Sequence, residues 1–425
     1  MSLLIKNGHI LNPATGTDGI MDLLVEGDKV IKIQQEITPE PEDQILDATG
    51  CFVFPGFIDL HVHFRDPGLT HKEDIMTGSR AAAHGGFTTV VTMPNTKPVA
   101  DNAQVIRYVH ERAKEVGLTN VLQVGAITKG MAGKELADIE EMIAAGIPAI
   151  SEDGKSVMDS NLYRKAMELV AKAGIPVLAH CEDINLVDGG VINRGAKSKA
   201  LGVKGISNAV ENIIAARDIM LAEETGARLH LCHCSTKETV ELVRDGKAKG
   251  IAVSGEVCPH HFTLSEDDIV EGDTNYKMNP PLRTKEDVDR LKEGLRDGIM
   301  EVISTDHAPH TKEEKVADLS KAPFGIVGLE TSAALTYTEL VLGGYLTPMQ
   351  MAEKMSTNPA RILGIPKGDI SPDHVADITI FDPRETYEIH GTDFVGKSSN
   401  MPYEGRQVTG RVIATVLDGK IVYQK

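Results

Sequence analysis

Tryptophan is missing from this 425-residue sequence, and aromatic residues together make up only 4% of it. The core must therefore be built mainly from aliphatic side chains. At this length that is enough to hold a fold together without disulfides or a structural metal. Cysteine is scarce as well: there are five, an odd number, scattered along the chain. Cys232 and Cys234 lie on one predicted strand and are too nearly collinear for an easy mutual bridge. That usage excludes a disulfide scaffold and points to a reducing, cytoplasmic setting. No window approaches about 18 uninterrupted apolar residues, so no membrane span is expected. The opening residues, Met-Ser-Leu-Leu-Ile-Lys-Asn-Gly, have no signal-peptide layout. Positive charge is also in deficit, with 44 basic residues against 62 acidic and a net charge of -18. That balance argues against a nucleic-acid partner or an anionic membrane surface. An anionic small-molecule substrate would have to be held by local cations, while the bulk acidity serves solubility.

What is present has two rhythms. The first 52 residues read as short strands with tight turns: 2–6, 21–26 and 30–33 are β-rich, with Gly27-Asp28 as a hairpin turn. From Phe57 onward, apolar runs alternate with helix-period stretches, the pattern of parallel βα units. Eight runs stand out, at 57–63, 88–93, 120–127, 148–153, 176–181, 228–234, 251–258 and 301–306. One intervening helix is predicted over 207–225, with Ser207 as its N-cap and Gly226 as its stop. The expected fold class is α/β: a (β/α)8 TIM barrel over residues 53–368. After about Asp369 the short-strand rhythm returns at 377–381, 412–418 and 420–423. Residues 1–52 and 369–425 are therefore expected to pair into a small composite β domain. Two long loops, 182–205 and 310–323, fall at the C-terminal face of the barrel, where such loops carry function. The second contains Lys312, Glu313, Glu314 and Lys315 and reads equally well as a lid or as a solvated charged loop.

The chemistry collects at the strand ends. His61-Val62-His63 closes the first run, and alternation puts both imidazoles on one face. The fourth run ends in Asp153, the fifth carries His180, the sixth His233, and the eighth ends in Asp306. Four histidines and two carboxylates on five strands, all at the C-terminal end, form a metal-site pattern. Imidazole favours zinc, and the mixed donor set suits hydrolysis with positions left for water. His230, three residues before His233, is expected on the opposite strand face in a structural role. Cys232 and Cys234 are expected to face the helix layer, and His260 and His261 to pack or to support the site. His9, His84, His110, His374 and His390 fall outside the strand ends and read as solvated or structural.

Longer motifs narrow the reading. Asp59-Leu-His61-Val-His63-Phe-Arg65-Asp-Pro67-Gly68 and Thr305-Asp306-His307-Ala-Pro-His310 resemble class I dihydroorotases of the amidohydrolase superfamily. Met93-Pro94-Asn95-Thr96, Tyr276-Lys-Met-Asn279-Pro-Pro-Leu-Arg283 and Ala322-Pro-Phe324-Gly325 extend the resemblance over nearly the whole chain. It implies two Zn2+ ions: His61, His63 and Asp306 on one, His180 and His233 on the other, and Asp153 bridging. Many superfamily members bridge with a carboxylated lysine instead, and Lys155 has the same alternation parity as Asp153, so both stay open as the bridge. The resemblance assigns Arg65, Asn95 and His310 to a substrate carboxylate. It places His63 beside the substrate, and Asn279 with the backbone near Phe324 and Gly325 at the ring. Asp306 would move the proton between water and the ring nitrogen as dihydroorotate and N-carbamoyl-L-aspartate interconvert. A homodimer and an association with aspartate transcarbamoylase are further partners implied by the family. Two rival readings remain: a hydantoinase or allantoinase, whose ring lacks that carboxylate, and a catalytically dead subunit, which would be expected to have lost its ligands.

Overall fold

The computed structural model describes residues 2–316 and 318–425; Met1 and Ala317, the latter within the 310–323 loop, lie outside the described residues. The chain opens with the antiparallel meander β1 (Ser2–Asn12), β2 (Thr17–Glu26) and β3 (Lys29–Gln34). Gly27 turns the second hairpin at φ 63°, a left-handed conformation that costs glycine little. β4 (Gln44–Asp47) and β5 (Phe52–Pro55) then run parallel to β1.

From β6 (Phe57–Val62) the strands become parallel and helices alternate with them. They are β7 (Phe87–Thr92), β8 (Asn120–Gln123), β9 (Gly125–Ala126), β10 (Ile150–Ser151) and β11 (Val177–Ala179). A small parallel pair, β12 (Ile192–Asn193) and β13 (Gly205–Ile206), sits within the 182–205 loop and at its end. β14 (Leu229–Leu231), β15 (Val253–Val257) and β16 (Val302–Ile303) complete the series. Each predicted run holds a strand, with 120–127 holding both β8 and β9, and in each run the last residue lies beyond the strand end.

β6, β7 and β8 pair in one sheet, and β9, β10, β11, β14, β15 and β16 follow in order in another. Val124 alone separates β8 from β9, and its N–H donates to the Thr92 carbonyl at 3.0 Å. At the opposite side Val62 pairs in parallel with His307, and the His63 N–H donates to the His307 carbonyl at 2.8 Å. The parallel strands are buried on both faces, as helix-covered parallel strands must be. Phe57, Val90, Val121, Val177 and Leu229 pack in the largest apolar cluster, with helix residues such as Ile106, Met167 and Val240. Leu60, Val91, Val124, Leu178, Cys232 and Val302 form a separate cluster with Ile362 and Leu363.

β17 (Ile378–Glu388), β18 (Gln407–Leu417) and β19 (Lys420–Gln424) return to the first sheet. Its order is β19-β18-β17-β5-β1-β2-β3, with β4 beside β1, so strands from the two ends of the chain meet at β5 and β17. Leu3, Ile5, Leu23, Val53, Ile378 and Val416 fill its own apolar cluster. Two threonines tie this sheet to the first βα unit: Thr379 Oγ1 donates to the Gly86 carbonyl at 2.6 Å and Thr415 Oγ1 to that of Ala83 at 2.7 Å.

The helix predicted over 207–225 spans Ala209–Thr225. Asn208, not Ser207, precedes it without a side-chain cap, and Gly226 at φ 70° stops it. Its buried face includes two carboxylates. Glu211 accepts from the Ser235 N–H at 3.0 Å, fixing the turn after β14. Asp218 is buried beside Arg217, whose Nε donates to it at 2.8 Å. Burial raises the Asp218 carboxyl to about 6, against the opposing pull of Arg217. The folded chain therefore binds this proton more tightly than the unfolded chain, whose ordinary value is 3.8. The resulting stabilisation is full below about pH 4 and is lost as pH rises through about 6. Asp218→Asn, neutral throughout, should gain on the native protein in melting temperature between about pH 4 and about pH 8. A gap that does not move with pH would show that Asp218 stays ionised.

Candidate metal centre and active site

The six strand-end residues converge. Asp153 is their hub: its Oδ1 lies 3.1 Å from His61 Nε2, 3.3 Å from His180 Nδ1 and 3.5 Å from His233 Nε2, and its Oδ2 lies 3.4 Å from His63 Nε2. Asp306 Oδ1 approaches His63 Nε2 at 3.1 Å and His61 Nε2 at 3.6 Å. His180 Nδ1 and His233 Nε2 are 2.8 Å apart. None of the six side chains is substantially exposed. The backbone bends to bring them together: His233 sits at φ 33° and Asp306 at φ 49°, left-handed values that non-glycine residues rarely adopt. Asp59 joins the two ends of the parallel series by accepting from the His61 N–H at 2.9 Å and the Thr305 N–H at 3.2 Å.

This donor set fits divalent metal. Both ring nitrogens of His61, Nδ1 of His233 and Oδ1 of Asp153 are buried without a hydrogen-bond partner. Such groups are costly unless something satisfies them. The donor atoms of His61, His63 and Asp306, and those of His61, Asp153 and His233, fall within 4.8 Å of one another. Electrostatics point the same way. Burial disfavours charge on His180, yet its contacts with Asp153 and Glu182 raise it to about 10. Burial would likewise raise Asp153, but the surrounding histidines hold it well below the ordinary carboxylate range. The carboxylates demand positive charge at these imidazoles, and a bound cation answers that demand without protons.

A second layer aims the donors. Asn95 Oδ1 pairs with His63 Nδ1 at 2.9 Å, and Asn95 Nδ2 reaches Asp153 Oδ2 at 3.4 Å. Glu182 Oε2 meets His180 Nε2 at 3.1 Å, and Asn279 Nδ2 donates to Glu182 Oε1 at 2.9 Å. Glu256 Oε1 stands 3.3 Å from His61 Nδ1, out of line for a hydrogen bond, while its Oε2 pairs with His230 Nε2 at 3.0 Å. Glu182 and Glu256 escape a reading confined to histidines and strand-end aspartates. The available signal was parity: Glu182 is two residues beyond His180, and Glu256 lies within a strand.

Two expectations need correction. His230 is not turned away from the site but joins it through Glu256, and Cys232 groups with His61 and Glu256, not with the helix layer. The cause is local: β14 ends at Leu231, and the left-handed turn at His233 breaks the alternation on which the expectation rested. Cys234 does pack among helix residues. Lys155 points outward from the cluster, its Nζ donating to the Met131 carbonyl at 3.2 Å.

Beside the cluster lies a cationic rim. Arg65, at φ 59°, places Nη2 3.5 Å from His310 Nε2, and its Nε donates to the Pro309 carbonyl at 3.4 Å. His310 Nε2 contacts the Phe324 carbonyl at 2.8 Å and its Nδ1 faces Lys72 Nζ at 3.3 Å, which places the proton on Nε2. Burial, with Arg65, Lys72 and Lys315 nearby, lowers His310 to about 2, so the ring is neutral. The Phe324 ring itself lies under Lys277 Nζ at 4.5 Å, so it is the backbone of that loop that faces His310. Gly325 has φ 119°, and a Cβ there would meet the Ala308 Cβ at 2.6 Å. Lys315 pins the same loop, its Nζ donating to the carbonyls of Lys277, Pro323 and Gly325 at 3.3, 3.1 and 3.1 Å.

Comparison with known proteins adds the decisive observation. The dihydro-orotase-like family matches residues 50–239, a span that holds every cluster residue except Asp306. A dihydroorotase of Pelotomaculum thermopropionicum is 47% identical over 100% of this chain and 99% of its own length. One from Clostridioides difficile is 47% identical over 99% of each. The chain belongs to the dihydroorotase family. Among solved structures, the L-hydantoinase (dihydropyrimidinase) of Arthrobacter aurescens superposes with a TM-score of 0.89 at 26% identity, covering 100% of this chain and 96% of that one. The dihydropyrimidinase of Brevibacillus agri gives 0.87 at 25% identity, covering 100% and 95%. The α/β fold of this dihydroorotase-family chain is thus shared with hydantoinases and dihydropyrimidinases.

The geometry separates the two bridge candidates experimentally. Asp153→Ala should lose bound metal, whereas Lys155→Ala should keep the native metal content, measured per chain by elemental analysis. Metal loss confined to the lysine variant would reverse the assignment.

Proposed function

We propose that this chain is a zinc-dependent dihydroorotase, a cyclic amidohydrolase that reversibly closes N-carbamoyl-L-aspartate to L-dihydroorotate in the de novo pyrimidine (UMP) pathway. The carrying observation is the cationic rim of Arg65 and neutral His310 beside the six-donor cluster, in a chain 47% identical to dihydroorotases along its length. His61, His63 and Asp306 would hold one Zn2+, His180 and His233 a second, and Asp153 would bridge them. When bound, the metal supplies Lewis acidity toward the ring carbonyl and makes water a better nucleophile near neutral pH.

The protein's own groups do the rest. The Arg65 guanidinium offers a planar fork for the substrate carboxylate. His310, neutral with its proton on Nε2, adds a donor once its bond to the Phe324 carbonyl is exchanged for substrate. Asn95 and Asn279 border the ring, beside the backbone of Phe324 and Gly325 and beside His63. Asp306, held ionised against burial chiefly by its contact with His63, takes a proton from the attacking water and returns it to the leaving ring nitrogen. In the reverse direction the same carboxylate takes the proton from the ureido nitrogen as the ring closes.

We read the parallel strands as a closed (β/α)8 barrel of residues 53–368, with 1–52 and 369–425 as a small β domain. The Val62–His307 pairing and the short Val124 junction support that closure. No helix among the described residues is long and apolar enough to cross a membrane. Five free, buried cysteines accord with a reducing cytoplasm. Homodimerisation belongs to the same reading, supported by exposed Ile213 and Met220 two turns apart on one helix, and so does docking with aspartate transcarbamoylase. Sedimentation of the purified chain, alone and with that partner, tests both.

The similarity to hydantoinases favours one second reading, a ring substrate without a carboxylate. A substrate panel decides between them. Dihydroorotate should turn over, with activity removed by a chelator and restored by Zn2+. Arg65→Met should cut kcat/KM for dihydroorotate by about 100-fold or more, the scale of a lost charged contact. Hydantoin turning over in preference to dihydroorotate would overturn the assignment. Asp306→Ala should abolish turnover and leave the circular dichroism spectrum native; near-normal activity would remove Asp306 from the proton path.

A further inference from the structure

A second group of metal-ligand side chains lies outside the six-residue centre. Cys258 ends the run of β15, and the short helix Pro259–Thr263 begins immediately after it, carrying His260 and His261. All three side chains are buried, with at most 2% of each residue exposed. One ligand atom from each falls within a group no more than 4.8 Å across. The two imidazole rings have centroids 4.2 Å apart, tilted at 59°.

The hydrogen bonds say which atoms are free. His261 Nε2 lies 3.0 Å from the Pro280 carbonyl, which can only accept, so the proton is on Nε2. Nδ1 of that ring is then a bare lone pair, buried and without a partner. His260 Nε2 is also buried and unpartnered. A ring whose far N–H is anchored by a backbone carbonyl has the usual posture of a metal-ligating histidine. Burial, the first cause in each case, keeps both imidazoles below their ordinary value, so they are present as neutral ligands. None of the donors assigned to the catalytic centre is used.

We propose that Cys258, His260 and His261 form a separate binding site for a single borderline or soft divalent cation of the zinc class. A thiolate with two imidazoles selects such ions over magnesium or calcium. On binding, the Sγ–H proton is released to solvent as the Sγ–metal bond forms, the two imidazoles donate lone pairs, and no atom changes oxidation state. The ion would clamp the turn after β15. Through the His261–Pro280 bond that clamp reaches the segment bearing Asn279.

Cobalt substitution reads this site apart from the catalytic one. The catalytic donors are nitrogen and oxygen, so a thiolate-to-cobalt charge-transfer band in the near ultraviolet reports a cysteine ligand alone. Full-length protein loaded with Co2+ should show that band, keep it in Cys232→Ser and lose it in Cys258→Ser. Zn2+ bound per chain should fall by one equivalent in Cys258→Ser. His260→Gln, which leaves the thiol intact, should weaken the band and covers the case in which the serine variant does not fold. No band in the native protein would overturn the proposal. So would a band that survives both Cys258→Ser and His260→Gln, or one lost in Cys232→Ser instead, which would place the thiolate with His61 and Glu256.

Discussion

A carboxylate ringed by four imidazoles in a water-poor interior is the constraint around which this protein is arranged. Asp153 has His61, His63, His180 and His233 within 3.5 Å of its oxygens. Such a cluster is unfavourable unless every member is oriented and its charge is answered. Asn95 and Glu182 pair with two of the rings from behind, and Glu256 stands 3.3 Å from a third, that of His61. Asp59 holds the first and last parallel strands in register at the level of the cluster. Left-handed backbone at Arg65, His233 and Asp306 costs on the order of 1–3 kcal/mol per residue. It persists because hydrogen bonding across the parallel strands fixes those turns.

The second constraint is discrimination by charge in a protein that is acidic overall. With a net charge of -18, the chain repels anions at long range. Arg65 and Lys72 offset this locally beside His310, which stays neutral chiefly because it is buried, with the neighbouring cations adding to that effect. A neutral imidazole among cations can donate to an anion without itself having to be desolvated as a charge. Gly325 lets the loop backbone pack closely against Ala308 and His310.

Much of this was legible in the sequence because strand-end chemistry obeys simple spacing. Each of the eight apolar runs that alternate with helical periods holds a parallel strand, the run 120–127 holding both β8 and β9. The convergence of His61, His63, Asp153, His180, His233 and Asp306 follows from their sharing one end of parallel strands. The failures have a common physical origin. Parity arguments hold only while the backbone stays extended, and β14 stops at Leu231 before reaching His233. His230 and Cys232 were therefore assigned to the wrong face. Glu182 and Glu256 were overlooked because a buried glutamate facing a histidine looks like any strand or loop residue until the partner's position is known. Ser207 gave way to Asn208 at a helix start by one residue, within the ordinary slack of helix ends.

The sheet shared by both ends of the chain has a consequence for how the protein is made. β5 leaves the ribosome well before its antiparallel partner β17. Until β17 follows, that edge of β5 is an unpaired strand with open N–H and C=O groups, next to an apolar cluster that lacks Ile378, Ile380 and Val416. The strands whose ends carry the six-residue cluster all precede β17 in the chain. Closure of the sheet has to wait for β17, and until then the nascent chain carries an exposed strand border.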